Sequence, residues 1–318
     1  MKTASALLTL CFPLLAGQLQ QGNHTRCLTV DGLPRKYYVH VPPSMNSTTP
    51  LPVVLVLHGG LRAGDSTMRA FGFNEMADRK HFLAVYPNGQ PKPHSVHPKT
   101  NLFWNPDDKG FPSTADDVKF ISSVLDDLSK VAAVNPKRIY STGLSHGAMM
   151  SYRLACDLSH RIAAIAPVAG SQERIPCNPR RPVPVLDFHG TEDGFVPVEG
   201  GGPFDFNSAD YTISTWLKLN GCPTNALETE LPDKVDDGTH VTLKTYGPCN
   251  AGTEVVSYII HHGGHTWPGL PIEYPDIFGE RILNPVSFKA QRATLGNVTM
   301  DINANDLIWE FFSRHALP

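Results

Sequence analysis

Arg138-Ile-Tyr-Ser-Thr-Gly-Leu-Ser-His-Gly147, running on into Ala148-Met-Met-Ser-Tyr-Arg-Leu-Ala-Cys-Asp-Leu158, is the stretch on which the reading of the fold turns. Residues 138–142 read as a short strand, and residues 148–158 carry a helix-forming apolar pattern. Between them Ser145 stands in a Gly-x-Ser-x-Gly frame set by Gly143 and Gly147. A turn from strand to helix in so few residues leaves almost no room for flanking side chains, so glycine is expected two positions either side. The Ser145 hydroxyl is then pushed out above the sheet.

Working outward, apolar runs alternate with helical patterns, which predicts a mostly parallel sheet with helices on both faces. Residues 37–41 alternate like an early edge strand. Pro52-Val-Val-Leu-Val-Leu57 is a continuous apolar run of the buried parallel kind, and residues 82–86 repeat it before a Pro-Asn-Gly turn. Residues 116–130 place Val118, Ile121, Leu125 and Leu128 at helical spacing behind an acidic start. Further strands are expected at 162–166, 183–188 and, as the last, 255–260. An amphipathic helix over 304–315 closes the chain. No repeat, low-complexity tract or interdomain linker interrupts the pattern, so residues 18–318 read as one domain.

A serine is a poor nucleophile at neutral pH and needs a base, an orienting acid and an oxyanion hole. Asp193, in His189-Gly-Thr-Glu-Asp193, follows the apolar strand at 183–188, at the carboxyl edge of the sheet where ligand chemistry gathers. Glu192 is its competitor. His265, in Gly263-Gly-His-Thr-Trp-Pro-Gly269, follows the last expected strand and is the base candidate among 14 histidines. The order Ser145, Asp193, His265 is the one α/β-hydrolases use. A metal site on His261, His262 and His265 is disfavoured, because the double glycine denies the helix that would put such ligands on one face. One oxyanion N–H comes from His146, the residue after the serine. The other comes from Gly60 or Leu61 in His58-Gly-Gly-Leu61, between which the sequence does not choose. Trp267 and Trp104 are candidate walls of a substrate pocket.

Composition bounds the rest. The chain has 318 residues, 41% hydrophobic and 18% charged, with a formal net charge of −3 and no long basic run, so nothing recruits nucleic acid or an anionic membrane. Lys2 followed by an apolar stretch to Ala16-Gly17 reads as a cleaved secretory signal over residues 1–17, which makes the mature protein an exported one. Asn23, Asn46 and Asn297 stand in Asn-x-Ser/Thr sequons. Cys156–Cys177 and Cys222–Cys249 are the expected disulfides, since each closes a moderate local loop worth roughly 3 kcal/mol. Cys27 is then free or paired with another chain. No Cys-x-x-Cys argues for a metal, and the expected chemistry requires no cofactor.

With these motifs collected, the chain resembles the secreted esterase family that contains poly(3-hydroxybutyrate) depolymerases and feruloyl esterases. The matching segments are Leu57-His-Gly-Gly60, Val134-Asn-Pro-Lys-Arg-Ile-Tyr140, Gly143-Leu-Ser-His-Gly-Ala-Met-Met150, His189-Gly-Thr-Glu-Asp193, Gly264-His-Thr-Trp-Pro-Gly269 and Ile308-Trp-Glu-Phe-Phe312. The resemblance implies an α/β-hydrolase fold and a Ser145–Asp193–His265 triad acting on carboxylic esters. Two departures adjoin the expected pocket. Gly60 stands where many depolymerase-like members carry cysteine, and the glycines at 200–202 replace an aromatic often found after the Val-Pro. The expected activity is cleavage of feruloyl or acetyl esters of plant cell-wall polysaccharide, with 3-hydroxybutyrate polyester or oligomer hydrolysis as the alternative. A peptidase, and a catalytically silent binding protein on the same fold, are the remaining readings. Loss of the serine or histidine would mark the last, and both are present.

Overall fold

The computed structural model describes residues 17–43, 49–92, 95, 99, 101–107, 113–271 and 295–318. The expected signal over 1–17, apart from Gly17, and the sequon at Asn46 lie outside the described residues.

The run Leu51–Leu57 shows how the sheet is built. Every residue of this strand, β3, is buried, and the strand period of two divides them between two cores. Val53, Leu55 and Leu57 join one core, and Val54 and Val56 the other. Parallel partners flank it on both sides: β4 (Leu83–Pro87) and β7 (Val134–Leu144). The parallel block continues through β8 (Ala164–Val168), β9 (Val185–Gly190) and β12 (Val255–His261). Antiparallel strands close both margins. β1 (Gly22–Val30) and β2 (Leu33–Val41) lie beyond β4, and β11 (His240–Tyr246) and β10 (Leu227–Glu230) lie beyond β12, giving a ten-stranded sheet. A short ribbon of β5 (Gln90–Pro91) and β6 (Leu102–Phe103) stands apart from it.

Helices cover both faces. α3 (Asp117–Val131), α4 (His146–Asp157) and α5 (Ala209–Asn220) supply Phe120, Leu154 and Trp216 to the first core. α1 (Gly64–Ala70), α2 (Phe73–Lys80) and α6 (Ala304–Ser313) supply Ala70, Phe73, Met76, Ile308 and Phe312 to the second. The caps follow sequence chemistry: Asp116 accepts from the Lys119 N–H, Ser208 from that of Tyr211, and Asn303 from that of Asp306. This architecture is an α/β-hydrolase fold, as expected.

One expectation about the margins is corrected. Residues 37–41 belong to β2, which pairs on both sides and is no edge strand; β1 covers it. As expected, β12 is the last strand in sequence among the described residues, although β11 and β10 extend the sheet past it. The missed strands alternate polar and apolar residues too weakly to stand out: Gly-Asn-His-Thr-Arg-Cys-Leu-Thr-Val makes β1, and Leu-Glu-Thr-Glu makes β10, exposed throughout.

Cys156 at the end of α4 is bridged to Cys177, and Cys222 after α5 to Cys249, with Cα separations of 5.1 and 4.2 Å. Cys27 is disulfide-bonded as well, which corrects the expectation of a free or interchain thiol. That expectation sets Cys11 aside with the signal, which leaves an odd count of five cysteines. No helix among the described residues is long and apolar enough to cross a membrane.

Candidate active site

Ser145 sits between the end of β7 and the first residue of α4, with φ 58° and ψ −120°. This left-handed backbone is strained for any residue with a side chain, and packing on both sides holds it. A Cβ on Gly143 would lie 2.6 Å from the Leu57 carbonyl oxygen, and one on Gly147 would lie 2.3 Å from the same atom. The elbow's glycines are therefore fixed by the close passage of β3. Ser145 is pinned further by its N–H, which donates to the Val168 carbonyl at 2.9 Å.

Asp193 lies three residues past β9 and is buried. Its Oδ1 accepts the N–H groups of Phe195 and Val196, each at 2.8 Å, and its Oδ2 accepts from His265 Nδ1 at 2.7 Å. Burial pushes this carboxyl up, but the charge and hydrogen bond of His265 outweigh it and hold it below the usual carboxylate range. With Nδ1–H donated to Asp193, the His265 Nε2 carries the lone pair a general base needs. The loop bearing His265 packs tightly: a Cβ on Gly264 would lie 1.8 Å from the Leu295 carbonyl oxygen, and the His265 N–H donates to that carbonyl at 2.6 Å. Glu192, the rival acid, is exposed and bound to His262 Nδ1 at 2.8 Å. His261 bonds Thr242 and stacks on His240 at 4.3 Å. The three histidines thus have separate partners, and no metal-binding cluster occurs among the described residues.

The oxyanion side is a different environment. His146 is the first residue of α4, so its N–H has no intrahelical acceptor. Leu61 is corrected as a donor candidate, because its N–H is spent on the Leu102 carbonyl at 3.0 Å. Gly60 remains; a Cβ on it would lie 3.9 Å from that of His146 and 3.3 Å from the Phe103 ring. Beneath the loop, His58 is fully buried. Its Nε2 accepts the Gly89 N–H at 2.9 Å, so its Nδ1–H donates to the Gly59 carbonyl at 2.7 Å. Burial drives its pKa down to about 3, and burial with the nearby Lys92 takes His146 to about 4. Both imidazoles are neutral.

Trp104 does not line the cavity, which corrects its reading as a pocket wall. It is fully buried, its Nε1–H donates to the His58 carbonyl at 2.8 Å, and its backbone N–H donates to His146 Nδ1 at 3.1 Å. It supports the oxyanion loop from behind. The neighbouring segment is anchored by the buried Arg35–Asp117 pair, since Asp117 also accepts the Asn105 N–H at 2.7 Å. Trp267 does line the cavity and stacks on Phe71 at 4.5 Å.

Ser145 and His265 open into a cavity of about 590 Å³. Its aromatic lining includes Phe71, Phe103, Phe195, Phe204, Phe206 and Trp267. Sequence reasoning missed all five phenylalanines. They come from four separate segments, one of them the strand β6, without periodicity, and only the nearness of Phe195 to Asp193 offered a signal. What this arrangement can perform is nucleophilic attack on a carbonyl, with a paired base and two backbone donors beside an apolar chamber.

Residues 35–172 match the family described as Esterase PHB depolymerase. A putative esterase, NocK, from Nocardia uniformis subsp. tsuyamanensis is 31% identical over 272 residues, spanning 80% of this chain and 77% of its own. Feruloyl esterase B of Piromyces equi is 36% identical over 163 residues, 48% of this chain and 29% of its own, so the chain spans under a third of that longer relative. Among solved structures, the acetyl xylan esterase from Aspergillus awamori superposes with a TM-score of 0.56 at 14% identity, covering 76% of this chain and 94% of that one. That likeness concerns the fold.

Proposed function

The chain belongs to the Esterase PHB depolymerase family and is a carboxylic-ester hydrolase; from that premise we propose that it cleaves feruloyl esters of plant cell-wall polysaccharide through Ser145, Asp193 and His265. The observation that carries the substrate reading is the cavity. A volume of about 590 Å³ walled by the stacked Phe71–Trp267 pair suits a planar aromatic acyl group, and an acetyl group would leave most of it empty.

The hydrogen bond between Asp193 and His265 supports the following mechanism. His265 Nε2 takes the proton of the Ser145 hydroxyl as its Oγ attacks the ester carbonyl. Asp193 holds the ring and stabilises the imidazolium that forms. The N–H groups of His146 and Gly60 receive the developing oxyanion. His265 then returns the proton to the leaving alcohol, and water releases the acid from the acyl-serine by the same steps. No cofactor is needed.

The disulfides fit an oxidising compartment, in line with an exported protein whose signal occupies residues 1–17 and whose one domain spans 18–318. Asn23 and Asn297 are exposed and accessible to glycosylation in a host that performs it. Hydrolysis of 3-hydroxybutyrate oligomers is the second reading, favoured by the family description and by the exposed apolar residues Leu61, Phe195 and Phe204 at the mouth. The test is kcat/KM for methyl ferulate against the 3-hydroxybutyrate dimer, with Ser145→Ala as blank. A preference for the ferulate is expected; a preference for the dimer overturns the choice.

A further inference from the structure

The catalytic cavity has two unlike kinds of aromatic lining. Phe71 and Trp267 are stacked and each only 4% exposed. Phe195 is 37% and Phe204 56% exposed, although both line the same cavity. In hydrolysis through an acyl-serine, the alcohol departs while the acyl group still fills its site, so the alcohol must lie against the solvent-exposed lining. Its oxygen also receives its proton from His265. The Phe195 ring lies tilted against the His265 ring, with centroids 5.2 Å apart, so an alcohol leaving from His265 passes across Phe195.

The loop carrying Phe204 and Phe206 is built to hold those rings. Gly201 and Phe206 exchange both backbone hydrogen bonds at 2.8 Å. Gly200, Gly201 and Gly202 have φ of 83°, 79° and 72°, a conformation that side chains rarely adopt. The buried carboxylate of Glu173 accepts the Asn207 N–H at 3.0 Å, and the Asn207 side chain donates to the Gln172 carbonyl at 2.7 Å. The two rings, 5.6 Å apart, are thus presented from a fixed loop.

We infer that Phe195, Phe204 and Phe206 form a leaving-group subsite that stacks against the sugar ring of a saccharide alcohol. A half-exposed aromatic face offers the C–H face of a pyranose or furanose a flat apolar partner while its hydroxyls stay in water. This assignment rests on the polysaccharide-ester reading above and adds which side chains recognise the alcohol.

The test compares a feruloylated arabinoxylan trisaccharide with methyl ferulate, two substrates with one acyl group and different alcohols. The ratio of their kcat/KM values is read for wild type, Phe204→Ala and Phe204→Trp. Phe204→Ala is expected to lower the saccharide-to-methyl ratio about tenfold, through KM of the saccharide ester, and Phe204→Trp to restore it. An unchanged ratio in Phe204→Ala overturns the subsite. Binding of the ferulate-free oligosaccharide to Ser145→Ala, with and without Phe204→Ala, is measured by calorimetry alongside. If no feruloyl ester is cleaved, the functional reading fails by itself; the subsite stands if the oligosaccharide binds and the Phe204→Ala change abolishes binding. It falls if the oligosaccharide does not bind or binds both proteins equally.

Discussion

His58, which does not line the cavity, and His265, which does, have been given opposite tasks. His58 is sealed beneath the oxyanion loop, bonded only to backbone groups, and driven by burial to a pKa of about 3. His265 is held on a loop after β12, with a buried carboxylate on one nitrogen and the cavity before it. Buried without a carboxylate, an imidazole is a neutral strut; paired with one, it becomes a base. Partner and solvent decide which, and neither is a property of the histidine.

The largest break in this comparison comes from the loop-borne side. His265→Ala is expected to lower kcat on an ester substrate by about 10⁵, and the double change with Ser145→Ala no further, because the groups act as one unit. Steady-state assays on all three proteins check this, and additive losses would contradict it. Asp193→Asn keeps the shape but loses the charge that orients His265. It should cost about 10⁴ in kcat with KM little changed. Glu192→Gln, in the same assay, is expected to stay within about twofold, because Glu192 is exposed on His262. A larger loss would reopen the choice of acid.

On the strut side, His58→Leu removes the partners of Gly59 and Gly89. It should reduce kcat roughly 10- to 100-fold and stability by about 2–4 kcal/mol, measured by urea unfolding, with Glu192→Gln unchanged in stability. Activity loss without any loss of stability would mean that His58 acts in the chemistry.

The most gradual effect is on pH dependence of stability. His58 and His146 have folded pKa values of about 3 and 4, below the ordinary 6.5. Between those values and 6.5 the unfolded chain binds protons that the folded one refuses. Their contribution is therefore fully present above pH 6.5 and lost as pH falls, by about 1.4 kcal/mol per unit for each such histidine. Urea midpoints at pH 7, 6 and 5 should decline, and His58→Leu should flatten the decline. An equal slope in that variant would remove His58 from the account.

The sequence disclosed a good deal of the site because its constraints are local. The glycines at 143 and 147 announced a turn that only they allow, and Asp193 and His265 were found by their positions after strands. Trp104 went astray because a tryptophan near a candidate site looks alike whether it lines the cavity or props the loop behind it. The sheet margins were illegible for a related reason. β1 and β10 are recognised by what they pair with, and their own residues carry little apolar signal.

By itself, then, the sequence determined the Ser145 elbow, the parallel core built from runs such as Pro52–Leu57, and the order of the proposed acid and base. Each is written in neighbouring residues through turn sterics and strand period. The tertiary structure alone removed Leu61 from the two donor candidates, because the carbonyl that consumes the Leu61 N–H belongs to Leu102, some forty positions away. It alone gathered five phenylalanines from four distant segments around one cavity, and it alone made His58 neutral. Hydrogen-bond competition, aromatic packing and desolvation are set by what folding brings near, and one-dimensional spacing does not record them.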